Sequence, residues 1–548
     1  MSGHPVGGRA SGDNVLAIEN LTVGLPAWSD RKSAVSGVSL EVGKTEIVCV
    51  VGESGSGKSI MGKAILGLLP KPHVRVTGGR IMFEGRDLIA LPEDDMRRLR
   101  GGRIAMIFQE PMTALNPLMK VGRQIDEVIE VHTDLKPAAR RARVLELISD
   151  VHLPDPKRIV DSYPHQLSGG QRQRIVIAMA LALEPALIIA DEPTTALDVT
   201  TQAQILHLMK ELQRAHGTSV LFITHDFGVV AEIADRVAVM RHGEIVEAGS
   251  ADEVLRNPQA DYTKALVAAV PGLKPRLRDK QAAQPLLVVR DLEKTYVSAG
   301  GFAAPARRVK AVDKVSLELG ERSSLALVGE SGSGKSTLAR CIIGLELPEG
   351  GEILLDGERI SGLTRDQLRP YRRHMQMVFQ DPFASLNPRQ RIGDIIAIGP
   401  MIQGVSREKA HAEARELLSL VGLRPEAADR YPHEFSGGQR QRVGIARALA
   451  VKPKLIVADE PVSALDVSVQ KQVLDLLNEL RRKFGLSMLF ITHDLRVAAT
   501  VCENIAIMQR GRIVEHGATA EIFANPQHAY TRSLLDAVPG KDWINSLA

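Results

Sequence analysis

The segment VGESGSGKS at residues 51–59 returns letter for letter at residues 328–336. Each copy follows an apolar, β-rich run (46–51 and 324–328) and precedes a helix-compatible run. In such a strand–loop–helix unit, glycines let successive backbone N–H groups converge on phosphate oxygens at a helix N-terminus. The lysine supplies a positive charge, and the serine hydroxyl is suited to Mg²⁺. The repeated segment therefore predicts two phosphate-binding loops.

Further motifs recur in the same order in both halves of the chain, at a nearly constant spacing. A slowly drifting offset indicates two homologous domains, whereas a solenoid repeat would recur many times at a fixed period. Both halves also end in similar Asn-Pro-Gln and Tyr-Thr segments, at 257–263 and 525–531, so the repeat includes a C-terminal extension. The paired motifs are Phe108-Gln109 and Phe379-Gln380, Ser168-Gly169-Gly170-Gln171 and Ser436-Gly437-Gly438-Gln439, Asp191-Glu192 and Asp459-Glu460, and His225 and His493.

The repeat sets the predicted domain boundaries. We expect an α/β fold with two tandem domains, because 548 residues exceed what one hydrophobic core usually serves. The polar, charged stretch after the first extension is a plausible linker. The predicted ranges are a disordered tail at 1–12, a first domain at 13–272, a linker at 273–285, a second domain at 286–540 and a tail at 541–548.

Composition excludes several classes of protein. A net charge of +4 provides no strong field for nucleic acid, and the basic runs at 140–141 and 372–373 are interpreted as solvated helix faces. The N-terminus has no apolar core of signal-peptide length, and the most apolar stretch, 175–190, is shorter than a membrane span. We interpret that stretch as a buried helix followed by a buried strand. The cysteines, Cys49, Cys341 and Cys502, are isolated in sequence, which fits a reducing cytoplasm and argues against disulfides or a thiolate metal site.

Two apolar runs of strand length end abruptly in paired acids, at Asp191-Glu192 and Asp459-Glu460. A central parallel strand delivers such side chains to the C-terminal edge of its sheet. Position suggests that the first acid holds Mg²⁺ through its water shell, while the second orients and deprotonates the attacking water.

Two further motifs point toward phosphate. Ser168-Gly169-Gly170-Gln171 lies just before a helical stretch, so its serine, glycines and helix N-terminus form an anion-facing nest. His225 and His493 each follow a β-rich run, where a neutral imidazole could hydrogen-bond a γ-phosphate.

This order of motifs resembles the ATP-binding-cassette (ABC) ATPases across nearly the whole chain. The resemblance implies P-loop NTPase domains, each with a mainly parallel core sheet, an antiparallel β subdomain and a helical subdomain. It also implies that the halves pair head to tail within the chain. ATP on Lys58 would then be capped by Ser436 and Gly438, and ATP on Lys335 by Ser168 and Gly170.

The expected site residues fall into three groups. Those expected to bind ATP are Gly52, Glu53, Ser54, Gly55, Ser56, Gly57, Lys58, Ser59, Gly329, Glu330, Ser331, Gly332, Ser333, Gly334, Lys335, Ser336, Tyr296, Ser168, Gly169, Gly170, Gln171, Ser436, Gly437, Gly438 and Gln439. The expected catalytic residues are Glu192, Glu460, His225, His493, Gln109 and Gln380. The expected Mg²⁺ ligands are Ser59, Gln109, Asp191, Ser336, Gln380 and Asp459. Because both halves keep these motifs, we expect two sites competent for hydrolysis.

The Gln-loop segments at 109–117 and 380–388 resemble those of oligopeptide and dipeptide permease ATPases, as do the Tyr-Thr endings. That resemblance implies an ATPase that imports peptides, at the cytoplasmic face of the cell membrane. Its implied partners are two transmembrane permease subunits, whose coupling helix meets the Gln loop, and an extracytoplasmic solute-binding protein.

The sequence departs from this family at three points. Residues 265–285 contain no cysteine, so we expect no iron–sulfur cluster. Tyr296 fits the family's adenine-stacking aromatic residue in the second half, whereas Leu25 takes that place in the first. We therefore expect weaker adenine binding in the first half, unless the ring of Trp28 stacks on adenine instead. The second signature begins with Phe435 where the first has Leu167, and we expect little consequence.

Two other functions fit these motifs less well. A two-cassette protein acting on ribosomes or DNA would carry a long charged insert or zinc-binding cysteines, and this chain has neither. An exporter motor is disfavoured by the Leu-Asn-Pro and Tyr-Thr segments. The imported solute stays open among dipeptides, oligopeptides, glutathione, nickel chelates and haem.

Overall fold

The fold was obtained as a computed structural model that describes residues 14–195, 197–275, 284–298, 307–381, 383–463 and 465–546. These residues form two compact units, and the main division between them falls between Val270 and Pro271. The predicted N-terminal tail, 1–12, and positions 276–283 of the predicted linker lie outside the described residues.

The first unit contains two sheets. Its strands are β1 (Asn14–Gly24), β2 (Ser33–Gly43), β3 (Ile47–Val51), β4 (Arg75–Phe83), β5 (Arg86–Asp87), β6 (Ile104–Ile107), β7 (Leu187–Asp191), β8 (Ser219–Thr224), β9 (Arg236–Arg241) and β10 (Glu244–Ser250). The smaller sheet is antiparallel, in the order β2-β1-β4-β5, and the larger sheet has the order β10-β9-β3-β8-β7-β6. The larger sheet is parallel from β9 to β6, and β10 pairs antiparallel at its edge.

The helices of the first unit fall into two sets: those that pack on the sheets, and those that lie between β6 and β7 in sequence and pack mainly on one another. They are α1 (Lys58–Ile65), α2 (Glu93–Leu99), α3 (Pro111–Ala114), α4 (Val121–His132), α5 (Pro137–Asp150), α6 (Pro156–Ile159), α7 (Gly169–Leu181), α8 (Val199–His216), α9 (Phe227–Ile233), α10 (Ala251–Arg256) and α11 (Asp261–Ala269). A 3-10 helix at Pro164–Gln166 leads into α7.

The second unit repeats this architecture. Its strands are β11 (Pro285–Ser298), β12 (Arg307–Gly320), β13 (Ser324–Val328), β14 (Gly350–Leu355), β15 (Glu358–Arg359), β16 (Met375–Val378), β17 (Leu455–Asp459), β18 (Ser487–Thr492), β19 (Asn504–Gln509) and β20 (Arg512–Ala518). They form sheets in the orders β12-β11-β14-β15 and β16-β17-β18-β13-β19-β20. Its helices are α12 (Lys335–Ile342), α13 (Arg365–Arg372), α14 (Ile392–Ile402), α15 (Arg407–Leu420), α16 (Gly437–Leu449), α17 (Val467–Phe484), α18 (Leu495–Val501), α19 (Thr519–Ala524), α20 (Ala529–Asp536) and α21 (Lys541–Ser546), with 3-10 helices at Pro425–Asp429 and Pro432–Glu434.

The central strands are buried along their whole length, which explains why most of their residues are apolar. Every residue of β3, β7 and β8 is buried, as expected for parallel strands covered on both faces. Parallel strands end at the same edge of a sheet, so the loops after these three strands lie side by side. The predicted α/β fold is confirmed, including the helix and strand expected over residues 175–190.

The C-terminus differs from our prediction. We predicted a tail from residue 541, but Lys541–Ser546 form α21, in which Trp543 and Ile544 are buried. The tail prediction is therefore wrong for this segment, because two apolar side chains gain free energy by leaving water.

None of the described helices is both long enough and apolar enough to span a membrane.

Candidate active sites

The first predicted phosphate loop links β3 to α1 and packs closely against neighbouring strands. Gly57, at the N-cap of α1, has φ 106°. A Cβ atom at Gly57 would lie 2.3 Å from the carbonyl oxygen of Ala34, and one at Gly52 would lie 2.1 Å from that of Met240. Since real side chains do not approach backbone oxygens so closely, both positions require glycine.

The lysine of each loop is buried and hydrogen-bonded to the loop backbone. Lys58 Nζ donates to the carbonyl oxygens of Gly52 at 2.7 Å and Glu53 at 2.9 Å. Lys335 Nζ repeats this arrangement in the second loop, at 2.7 and 2.8 Å. Burial lowers the pKa of Lys335. Both ammonium groups therefore lie inside the predicted phosphate loops.

The serine that follows each lysine meets the first acid of the acidic strand. Ser59 Oγ donates to Asp191 Oδ1 at 2.8 Å, and Ser336 Oγ donates to Asp459 Oδ1 at 3.0 Å. Burial raises the pKa of both carboxyl groups, although these hydrogen bonds oppose the shift. A hydroxyl and a carboxylate are the hard oxygen ligands that Mg²⁺ prefers, and a cation would compensate a buried carboxylate. These residues fit Mg²⁺.

The second acid lies in a cluster of polar side chains. Glu192 Oε2 accepts hydrogen bonds from Gln109 Nε2 at 2.9 Å and Thr195 Oγ1 at 3.0 Å, and lies 3.2 Å from His225 Nδ1. Burial disfavours charge on both members of the Glu–His pair. Burial is the largest single effect, but the mutual hydrogen bond, the attraction between the two charges and neighbouring groups together outweigh it, so the pKa of Glu192 is lowered and the pKa of His225 is raised.

The second half builds the same cluster. Glu460 Oε2 accepts from Gln380 Nε2 at 2.9 Å and lies 3.3 Å from His493 Nδ1. The pKa shifts of Glu460 and His493 have the same directions and causes as in the first half. Both glutamines, which we placed among the Mg²⁺ ligands, thus donate to the second acid of their own half.

The signature segments begin helices α7 and α16 through a reciprocal cap. Ser168 Oγ accepts from the Gln171 N–H at 3.2 Å, while Gln171 Oε1 accepts from the Ser168 N–H at 3.0 Å. Ser436 and Gln439 repeat the pattern at 3.4 and 3.0 Å. Ser-x-x-Gln is the known sequence signal for this capping box, and our sequence analysis missed it.

The middle glycines of the signatures are needed for packing. A Cβ atom at Gly170 would lie 2.4 Å from Thr201 Cγ2, and one at Gly438 would lie 2.3 Å from Val469 Cγ1. These glycines therefore let the start of α7 approach α8, and the start of α16 approach α17.

The predicted adenine positions differ between the halves. Tyr296 lies on β11 with 40% of its surface exposed, and its hydroxyl hydrogen-bonds the Glu346 carboxylate. Leu25 follows β1 and is partly buried. Trp28 is 75% exposed and packs edge-on against His73, with ring centroids 5.2 Å apart.

Comparison with known families decides what these sites belong to. The ABC transporter family model matches residues 35–195 and 312–463, and so covers the phosphate loop and the acidic strand of both halves. The chain belongs to the ABC transporter family. Its ABC domains are ATPases that bind ATP. A second model, for the C-terminal region of oligopeptide/dipeptide transporters, matches residues 246–293 and 514–543.

Curated relatives of this ABC chain match it over nearly their whole length. The peptidoglycan transport ATP-binding protein YejF of Agrobacterium fabrum is 47% identical over an alignment of 527 positions, which covers 95% of this chain and 96% of that protein. The glutathione import ATP-binding protein GsiA of Escherichia coli is 47% identical over an alignment of 558 positions, which covers 96% of this chain and 90% of that protein. A solved structure of the bacterial ABC transporter cassette MJ0796 matches 42% of this chain and 98% of its own, with 32% identity and a TM-score of 0.39.

Proposed function

We propose that this chain is the ATP-hydrolysing motor of an importer for peptides or related small solutes. The observation that carries the proposal is that each half combines the ABC cluster of Ser, Asp, Glu, Gln and His with a C-terminal region of the oligopeptide/dipeptide transporter type. Relatives whose names specify glutathione import and peptidoglycan transport support the same class of solute.

The geometry supports distinct roles for the two acids. Ser59 and Asp191 would hold Mg²⁺ with Gln109, as would Ser336 and Asp459 with Gln380 in the second half. When bound, this ion neutralises charge on the β- and γ-phosphates. Glu192 and Glu460 would orient the attacking water and accept its proton.

Each histidine would have two roles, one toward the glutamate of its own half and one toward the γ-phosphate of ATP. His225 and His493 each pair with the glutamate of their own half, so each can hold the carboxylate in position. We assign to each imidazole a hydrogen bond to the γ-phosphate as a second role. Lys58 and Lys335 would bind the phosphates from inside their loops.

The two halves would pair head to tail, so that each phosphate loop is completed by the signature of the other half. Two phosphate loops and two capped signature helices within one chain support this arrangement. A covalent connection makes such pairing intramolecular, which raises the effective concentration of each half for the other.

The proposed partners are two transmembrane permease subunits and an extracytoplasmic solute-binding protein, with the chain bound peripherally at the cytoplasmic face of the membrane. We expect these partners to stimulate ATP hydrolysis, most strongly when the binding protein carries its solute. The test is ATPase activity of the purified chain alone, with permease subunits, and with binding protein plus dipeptides, oligopeptides, glutathione or peptidoglycan fragments. Stimulation by ribosomes or DNA instead would overturn the transport proposal.

The adenine positions predict unequal ATP affinity. The Lys335→Ala variant retains the first site, which has Leu25, and should bind ATP roughly three- to tenfold more weakly than the Lys58→Ala variant, because aromatic stacking contributes about 0.5–1.5 kcal/mol. Titration with a fluorescent ATP analogue measures both affinities. As a control, Tyr296→Leu in the Lys58→Ala background should make them similar. Equal affinities in the two lysine variants would contradict the asymmetry.

A further inference from the structure

A tyrosine of each C-terminal extension contacts the phosphate loop of its own half. The Glu53 N–H, in the first loop, donates to the hydroxyl oxygen of Tyr262 on α11 at 3.3 Å. The Glu330 N–H, in the second loop, donates to that of Tyr530 on α20 at 3.1 Å. The contact joins residues about 200 positions apart in sequence and occurs in both halves, so it is a built feature of the repeat.

Each tyrosine is held in place by a glutamate that caps the preceding turn. The Glu247 carboxylate accepts from the N–H groups of Gln259 at 2.6 Å and Ala260 at 3.1 Å, directly before α11. The Arg241 guanidinium lies 4.7 Å from the centroid of the Tyr262 ring. These contacts therefore hold Tyr262 in position against the phosphate loop.

In the second half, a glutamate caps the turn before Tyr530 in the same way. The Glu515 carboxylate accepts from the N–H groups of Gln527 at 2.7 Å and His528 at 3.1 Å, directly before α20. Burial raises the pKa of Tyr262 and of Tyr530 to about 12, so both phenols stay protonated at neutral pH.

The tyrosine and the loop lysine hold opposite edges of a single peptide group. In the trans Gly52–Glu53 peptide, the carbonyl of Gly52 accepts from Lys58 Nζ, while the N–H of Glu53 donates to Tyr262. A trans peptide is planar, with its C=O and N–H pointing in opposite directions, so fixing one edge orients the other. The Gly329–Glu330 peptide is held in the same way by Lys335 and Tyr530.

We infer that Tyr262 and Tyr530 are positioning residues for ATP, which make the C-terminal extension part of the nucleotide-binding machinery. Each hydroxyl fixes the peptide that orients the loop lysine, and it preorganises the loop before phosphate arrives. Preorganisation improves affinity because less ordering remains to be done on binding. The inference rests on the proposed assignment of the phosphate loops.

The test replaces both tyrosines by phenylalanine in the full chain, which removes the hydroxyls and keeps the rings. We expect KM for ATP to rise about tenfold, because a partly buried N–H donor loses its acceptor, while kcat stays within about twofold. Equilibrium titration with a fluorescent ATP analogue should show the same loss of affinity. If the double variant does not fold, Tyr262→Phe and Tyr530→Phe taken singly should each give biphasic titrations, with one weakened site.

Thr263→Val is the matched control. Thr263 follows Tyr262 on α11 and is buried, and its hydroxyl makes no hydrogen bond among the described residues. Removing that hydroxyl should leave KM and kcat unchanged. A fall in kcat at unchanged KM for the tyrosine variant, or an equal rise in KM for Thr263→Val, would overturn the inference.

A lysine variant separates this inference from the site assignment. Lys58→Ala combined with Lys335→Ala should abolish ATP binding if the loops are correctly assigned. Wild-type affinity in that variant would remove both the assignment and the inference. Lost binding there, with unchanged KM in the tyrosine variant, would overturn the positioning role alone.

Discussion

Replacing Glu192 and Glu460 together by glutamine should lower ATP turnover about 10²–10⁴-fold while ATP remains bound. The amide keeps the size of the carboxylate but cannot take a proton from water. The contacts around Glu192 show why binding should survive, since its carboxylate accepts hydrogen bonds from Gln109 and Thr195, which are side chains outside the phosphate loop. Steady-state phosphate release measures turnover, and retention of radiolabelled ATP after gel filtration measures trapping.

Glu184→Gln provides the control for this experiment. Like Glu192, Glu184 has a positive φ, 49° against 48°, and the two residues lie at opposite ends of the segment that contains β7. Its side chain is 57% exposed and pairs with Arg143. Turnover should be unchanged in this variant. Wild-type turnover in the double variant at the acidic strands would remove the proposed role of Glu192 and Glu460.

The central sheets could be predicted from sequence because burial on both faces dictates their composition. β13 covers Ser324–Val328, the range that the apolar run predicted, and β7 ends at Asp191, where the run meets its acids. β1 was not predictable in this way, because it pairs on both sides with register shifts around Asn20, whose φ is 47°. No periodic pattern marks such an irregular strand.

Sequence motifs predicted which residues gather, but not how they contact one another. The order of the strands places Asp191, Glu192 and His225 at one sheet edge, which follows from parallel topology. The Gln109–Glu192 hydrogen bond depends on the path of a loop, and residue spacing alone cannot specify it. The Tyr-Thr endings were noticed only as a family marker. Their repetition was the signal that could have pointed to Tyr262 as a site residue.

The backbone of the proposed bases also lies beyond sequence reasoning. Glu192 and Glu460 have φ values of 48° and 43°, which are unusual for residues with a side chain. Such a conformation costs about 1–3 kcal/mol and persists only where the surroundings fix it. Here the Glu192 N–H donates to the Ile223 carbonyl at 2.9 Å, which continues the pairing of β7 with β8 and fixes the backbone of Glu192. From this position the Glu192 carboxylate reaches His225 Nδ1 at 3.2 Å.

Gly334→Ala should weaken ATP binding at the second site at least about tenfold, which corresponds to about 1.4 kcal/mol of binding free energy. Gly334 has φ 109°, and a Cβ atom there would lie 2.0 Å from the Ala311 carbonyl oxygen. That oxygen belongs to the backbone of β12 and cannot rotate away as a side chain would, so the loop and Lys335 must move. Titration with ATP should therefore show a weakened second site and an unchanged first site.

Gly444→Ala separates this local effect from a general effect of adding a methyl group. Gly444 lies inside α16, and a Cβ atom there would meet no other atom within 4 Å. Alanine should stabilise that helix by about 0.5–1 kcal/mol and leave both ATP sites unchanged, because it lowers the entropy of the unfolded chain without a steric penalty. If the second site of Gly334→Ala binds ATP with wild-type affinity, the second phosphate loop can accept a side chain at its helix N-cap. In that case the tight packing of the loop against β12 does not determine its affinity for ATP.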